Sequence, residues 1–120
     1  MEPRAVEIKL RRQSRVLEVR FDDGACFQLP FEYLRVHSPS AEVQGHGAGE
    51  SLLVVGKEGV GIRAVEPVGQ YAVRIVFDDG HDTGLFTWKY LHELGAQQQA
   101  KWTRYLARVA QSGQRRTQTD

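Results

Sequence analysis

The sequence predicts an α+β domain with a mostly antiparallel sheet, built from two related units that each contain a β-hairpin followed by a helix, with a further C-terminal helix. Three observations support this fold class. Residues 19–24 (VRFDDG) are echoed by residues 75–80 (IVFDDG). A strand-like run and then a tyrosine–leucine pair follow each copy. Towards the C-terminus, aromatic and apolar residues recur at helical spacing.

The first unit is predicted from alternating apolar and polar residues and from its turn residues. Its main predicted elements are strands at residues 6–10 and 16–21 and a helix at 31–36. Asp-Asp-Gly after the second strand is a hairpin signal, because glycine adopts a positive φ at low cost. A three-residue loop sets Val19 opposite Phe27 and Leu17 opposite Leu29, apolar against apolar. Pro30 ends the sheet and suits the start of the helix.

The second unit follows a turn-rich segment, residues 37–51, which is either a mobile loop or a functional one. Its predicted strands cover residues 60–67 and 71–77, and helices are predicted at 88–94 and 96–110. The repeated three-residue loop pairs Ile75 with Thr83 and Val73 with Leu85.

The C-terminal region has recognisable helix boundaries. Thr87 is a candidate N-cap for the helix that follows it, and Gly95 is placed to end that helix. Residues 1–110 are then expected to form one domain, and the polar residues 111–120 a disordered tail.

Composition narrows the class of protein. The 120 residues include 16 Lys and Arg, 15 Asp and Glu and one cysteine, for a net charge of +1. This balance argues against a nucleic-acid partner, and one cysteine excludes an internal disulfide. No apolar run approaches the ~20 residues of a membrane span, and no signal peptide is evident at the start. A cytoplasmic protein without a membrane partner is expected.

The residues offer little for catalysis. The sequence has no nucleophile elbow, Walker loop or Cys-x-x-Cys motif, so no enzyme activity is expected. The paired acids at 22–23 and 78–79 could bind a hard cation, but aspartate is also favoured in turns, and the repeat favours the turn interpretation.

The histidines and aromatic residues each allow two interpretations. His81 follows the second turn on the apolar side, where it is either a hydrogen-bonded residue at the core edge or a metal ligand or proton carrier. His92 is most simply a residue of the helix surface. Trp88, Tyr90 and Trp102 would either close the core or form a recognition surface, and the core is favoured.

Two segments resemble a known bacterial family. Residues 27–46 (FQLPFEYLRVHSPSAEVQGH) and 79–95 (DGHDTGLFTWKYLHELG) look like the gamma-butyrobetaine hydroxylase-like N-terminal domain, a resemblance that covers residues 6–95. In the hydroxylase, this domain precedes an oxygenase domain that depends on iron and 2-oxoglutarate. The resemblance does not transfer that activity, because the catalytic barrel and its iron-binding triad are absent from this sequence.

The resemblance also implies a lost metal site. The hydroxylase domain holds zinc through three cysteines and one histidine. The histidine matches His81, whereas the cysteines fall near Ser38, Ser40 and Val43. One histidine cannot satisfy a tetrahedral zinc, so a surviving site would need further ligands. The candidates for these are His37, His46, Cys26 and Glu42.

Two functions remain open. The first is a non-catalytic module that binds a protein partner, with residues 37–51 beside the second hairpin as its surface. The resemblance links such a module to iron or iron–sulfur metabolism, because the same domain is fused to some iron–sulfur carrier proteins. The alternative is a protein that binds iron or zinc through His81 together with His37 or His46.

Overall fold

The structure, a computed structural model, describes residues 2–39 and 53–115. Within these ranges the chain forms six strands and three helices. They are β1 (Ala5–Arg11), β2 (Val16–Phe21), β3 (Cys26–Pro30), α1 (Phe31–Val36), β4 (Ile62–Val68), β5 (Ala72–Phe77), β6 (Gly84–Thr87), α2 (Trp88–Ala96) and α3 (Gln98–Ser112). The predicted α+β class is confirmed: two three-stranded antiparallel sheets are each followed by a helix, and a further helix lies towards the C-terminus.

The first sheet has the order β1-β2-β3 and the register that the apolar pattern predicts. Val19 lies opposite Phe27 and Leu17 opposite Leu29. The backbone N–H of Phe21 donates to the carbonyl of Ala25 at 2.8 Å and closes the three-residue loop. Because side chains alternate along a strand, this register turns the apolar residues of β2 into the core.

The second sheet, β4-β5-β6, shows that the predicted pairing of Ile75 with Thr83 and of Val73 with Leu85 is wrong. Ile75 lies opposite Gly84, and Val73 opposite Phe86. One extra residue enters the chain between the turn and β6. Because of this shift, Phe86 and not Leu85 points from β6 into the core: Phe86 is fully buried, whereas Leu85 is 37% exposed. The larger aromatic side chain therefore enters the core.

The helices follow the prediction closely at their starts and less closely at their ends. Thr87 caps α2, with its Oγ1 accepting from the backbone N–H of Tyr90 at 3.0 Å. Gly95 does not end this helix, which continues through Ala96. A Cβ at position 95 would overlap the ring of Phe27, so this glycine allows close packing between α2 and β3. Helix α3 extends through Ser112, beyond the expected end at 110.

The two units, β1 to α1 (residues 5–36) and β4 to α2 (residues 62–96), share their backbone hydrogen bonds as well as their order. The first N–H of each helix donates to the residue just before the middle strand, from Phe31 to Arg15 at 3.0 Å and from Trp88 to Tyr71 at 2.9 Å. The first strand of each unit is also irregular near its beginning. The sequence echo therefore reflects a structural repeat.

One core joins the two units. Its largest fully buried side chains include Tyr33, Phe21, Phe77 and Phe86, and the hydroxyl of Tyr33 donates to the carbonyl of Leu94 at 2.7 Å. The aromatic residues Trp88, Tyr90 and Trp102 pack against this core, which confirms the core interpretation for them. Among the described residues, no helix has both the length and the apolar character needed to cross a membrane.

Candidate functional site

The paired aspartates build the two turns. The first of each pair accepts from the backbone near the start of the unit, Asp22 from Arg4 N at 3.2 Å and Asp78 from Gly61 N at 2.9 Å. The second accepts from the N–H two residues later, for Asp23 at 2.9 Å and for Asp79 at 3.1 Å. These local bonds are typical of aspartate in turns. The turn interpretation of both pairs is confirmed.

Each turn also contacts the helix of the other unit. Asp79 accepts from Arg35 Nε of α1 at 2.9 Å, and Asp23 lies 2.8 Å from His92 Nε2 of α2. Arg35 and His92 are both the fifth residue of their helices. The two contacts are therefore equivalent positions of the repeat, and each helix is fixed to the opposite hairpin.

The contact around Asp79 forms a polar corner, defined here by Arg35, Ser38, Lys57, Asp79 and His81. Asp79 Oδ2 accepts from Lys57 Nζ at 2.7 Å as well as from Arg35. Ser38 Oγ and His81 Nε2 share a hydrogen bond of 3.0 Å. The side chains of Arg35 and Asp79 are only 12% and 19% exposed, so these charges interact with little screening by water.

The electrostatics of the corner fix the charge of its groups. Burial raises the pKa of Asp79, but hydrogen bonds from Lys57, His81 N and Arg35 outweigh burial and lower it to about 2. Burial lowers the pKa of His81, and the Arg35 cation lowers it further. At neutral pH the corner therefore carries two cations, one carboxylate and a neutral imidazole. The cations contact the carboxylate, and the imidazole is hydrogen-bonded to Ser38.

His37 lies beside the polar corner but has other contacts. Its Nδ1 donates to the carbonyl of Tyr33 at 2.9 Å, and its ring stands edge-on to the Tyr33 ring at 4.7 Å. Burial lowers the pKa of His37, partly opposed by this hydrogen bond. The hydroxyl of Tyr90 donates to the carbonyl of His37 at 2.6 Å, and burial raises the pKa of Tyr90 to about 12. These contacts fix the end of α1.

The described residues do not fit the zinc that the resemblance implies. Ser38, the described position where a family cysteine would fall, contributes a hydroxyl that bonds the Nε2 of His81. Within residues 2–39 and 53–115, no group of three or more His, Cys, Asp or Glu side chains could hold a metal ion. Of the other positions raised from the sequence, Cys26 is exposed at the start of β3, and Ser40, Val43, His46 and Glu42 lie outside the described residues. Metal binding by His81 with His37 stays a prediction.

The equivalent corner of the first unit is aromatic. Here the imidazole of His92 stands edge-on to Phe21 at 4.9 Å and to Phe27 at 5.4 Å between ring centroids. Gly95 occupies the helix position that Ser38 occupies beside α1, seven residues after the first helix residue, and the Phe27 ring fills the space beside it. His92 thus lies partly exposed at the helix surface, as expected, and it also packs on two phenylalanines and hydrogen-bonds Asp23. Packing closes this corner, whereas hydrogen bonds close the polar one.

Comparison with known proteins places this chain in a family. The family described as gamma-butyrobetaine hydroxylase-like, N-terminal, matches residues 8–92. The chain belongs to this family. The match spans both units from β1 into α2, and so includes both corners of this gamma-butyrobetaine hydroxylase-like domain. No curated protein matches the chain.

Solved structures resemble this family member over most of its length. Two NMR solution structures are 46% and 50% identical in sequence, with TM-scores of 0.85 and 0.84; they cover 100% and 98% of this chain and 94% and 88% of their own. A crystal structure from Acidithiobacillus ferrooxidans, of a protein with unknown function in the DUF971 family, is 45% identical with a TM-score of 0.66. It covers 78% of this chain and 93% of its own.

Sequence reasoning found Ser38, Asp79 and His81 but missed Lys57 and Arg35. Lys57 lies in the glycine-rich run of residues 56–61, where the backbone N–H of Val60 donates to the carbonyl of Lys57 at 3.0 Å and forms a turn. The repeat contained the missing signal. Arg35 and His92 occupy the same helix position, so a partner for one in the opposite turn predicts a partner for the other.

Proposed function

We propose that the chain is a non-catalytic module that binds a protein partner through the polar corner. The observation that carries this proposal is the difference between the two corners of the repeat. The aromatic corner is closed by ring packing, whereas the polar corner is held by ion pairs and a serine–histidine hydrogen bond on a fixed frame, with the Lys57 side chain still 25% exposed. Fixed polar groups of this kind favour specific hydrogen bonding to a partner.

The same contacts argue against chemistry at the corner. A general base needs a free lone pair near a reacting group, but Asp79 accepts from Arg35, Lys57 and a backbone N–H. The Nε2 atom of His81 is bonded to Ser38. The side chains that could react are thus used to hold α1 against the second hairpin. The link to iron or iron–sulfur metabolism and a cytoplasmic location stay predictions.

The proposal is tested by capture from the native cell. Tagged wild-type chain, a Lys57→Gln variant and a Lys9→Gln control would be compared by quantitative mass spectrometry. Lys57→Gln removes a cation from the polar corner, and Lys9→Gln removes one from β1. We expect a partner that is enriched by wild type and control and is reduced about tenfold with Lys57→Gln. If no protein is enriched above the tag alone, the chain is not an interaction module.

The metal-binding alternative rests on the position of His81 beside Ser38, where the chain enters the segment containing His46. Elemental analysis of untagged protein separates the two functions, with His81→Ala as the control. A genuine site would approach one metal per chain and would be lost in the variant. Iron or zinc below about 0.1 per chain would remove this alternative.

A further inference from the structure

A cleft lies on another part of the surface, where the N-terminal segment meets the second unit. It has a volume of about 470 Å³. Its lining includes Glu2 and Arg4 of the N-terminal segment, Gln70 and Tyr71 of the β4–β5 turn, and Trp88 and Lys89 at the start of α2. The indole N–H of Trp88 donates to the carbonyl of Gln70 at 2.8 Å, which holds the aromatic wall in place.

The first unit has the same junction, and its own side chains fill it. Arg15 donates to the carbonyl of Val60, and its guanidinium lies 5.5 Å from the centre of the Phe31 ring. Arg12 donates to the carbonyl of Ile62 at 2.6 Å. Two arginines of the β1–β2 turn thus hold the chain at and just before β4, the strand that begins the second unit.

Tyr71 stands where Arg15 stands, because both accept the first N–H of the following helix. Its side chain does not fill the junction: it is 57% exposed, and its ring lies beside Gly69. Trp88 likewise stands in the place of Phe31. The cleft of the second unit therefore corresponds to the junction that Arg12 and Arg15 fill in the first unit.

The charge at the start of the helix is reversed in the cleft. Arg4 and Lys89 outnumber Glu2, and Lys89 takes the helix position that Glu32 takes in α1. The pair between Lys89 and Glu2 is long, at 3.8 Å, and both side chains are 72% exposed, so it neutralises little. The nearby Asp22 accepts from the backbone N–H of Arg4. Positive side chains around an aromatic wall complement an acidic side chain next to an apolar one.

We propose that this cleft docks an acidic segment of a partner protein, with a carboxylate between Arg4 and Lys89 and a neighbouring apolar side chain against Tyr71 and Trp88. This inference rests on the proposed function and specifies the chemistry of the partner. The carboxylate would supply the negative charge that Glu32 supplies at the start of α1. The apolar side chain would fill the space that the arginines fill in the first unit.

The test is a titration of the full chain with the capped peptide Gly-Asp-Leu-Asp-Gly, followed by the NMR signals of the Trp88 indole and the Lys89 amide. The control peptide Gly-Asn-Leu-Asn-Gly has the same shape without charge. Lys89→Glu is paired with Lys9→Glu, because Lys9 also forms a 3.8 Å pair with a glutamate. We expect binding at about millimolar affinity, about tenfold weaker with Lys89→Glu and unchanged with Lys9→Glu.

Three results would overturn the inference: no shift of the Trp88 signals with the acidic peptide, equal binding of the neutral peptide, or equal weakening by the two lysine variants. With Lys89→Glu added to the cell experiment, a partner lost with Lys57→Gln but retained with Lys89→Glu would refute the cleft and leave the proposed function standing. The absence of any partner would refute the proposed function itself, whatever the peptide does.

Discussion

At the scale of single residues, the aspartates of the two turns show how one residue type supports both local and distant structure. In each pair, one oxygen of the second aspartate closes the turn and the other reaches the helix of the opposite unit. Turn chemistry was predictable from Asp-Asp-Gly, because it depends on neighbours in the chain. The helix contacts were not, because they join residues more than forty positions apart and depend on the packed fold.

Asp79 should be the most stabilising of these aspartates. Its pKa lies near 2 rather than at its ordinary 3.8, so the ionised form stabilises the fold above pH 3.8 and that contribution is lost as the pH falls towards 2. We expect Asp79→Asn to lower the free energy of unfolding at pH 7 by about 2 kcal/mol. The variant should also flatten the pH dependence of stability between these values.

Urea unfolding at pH 7 and at several acidic pH values measures both effects. Asp82→Asn is the control, because it removes a neighbouring carboxylate outside the polar corner, and it should change stability by less than about 0.5 kcal/mol. Equal losses in the two variants would show that Asp79 acts through general charge and not through its contacts with Arg35 and Lys57.

At the scale of elements, the sequence predicted the strands and helices well but one register incorrectly. The first hairpin followed the rule that apolar residues face each other, because β2 and β3 alternate cleanly. In the second hairpin the same rule offered Leu85, yet the extra residue before β6 turns Phe86 inwards. Such an insertion depends on which side chain fills the core better, which alternation alone does not reveal.

The contact between α2 and β3 should be sensitive to one methyl group. A Cβ at position 95 would overlap the Phe27 ring, so we expect Gly95→Ala to destabilise the protein by about 1–3 kcal/mol, although alanine is the better helix former. Thermal unfolding measures the loss. Gly59→Ala is the matched control, because the structure shows open space there and no positive φ. A Gly95→Ala variant as stable as the wild type would mean that Phe27 moves away freely.

At the scale of the whole molecule, the two units share one core and hold each other's helices. Tyr33 donates to Leu94 across the units, and the two turn-to-helix contacts cross in opposite directions. Neither unit can therefore bury its helix fully without the other. The residues of the candidate site also come from both units. Local motifs in the sequence therefore identified its histidine and serine, but they did not identify the ion pairs that form between the units.

The protein should consequently unfold in one cooperative step. We expect the urea midpoint from tryptophan fluorescence, which reports on α2 and α3, to coincide with the midpoint from amide NMR signals of β2. Calorimetric and van't Hoff enthalpies should also agree. Two separate midpoints would show that the units are independent and that the crossed contacts add little.

The crossed helix contacts also bear on how the two corners came to differ. Two separate copies of one unit, joined as a symmetric dimer, would have to carry the same residues at both junctions, since symmetry makes them identical. Covalent fusion of the copies removes that constraint. His92 with its aromatic neighbours and Arg35 with its ionic ones can then differ, so that one junction is held by ring packing and the other by ion pairs.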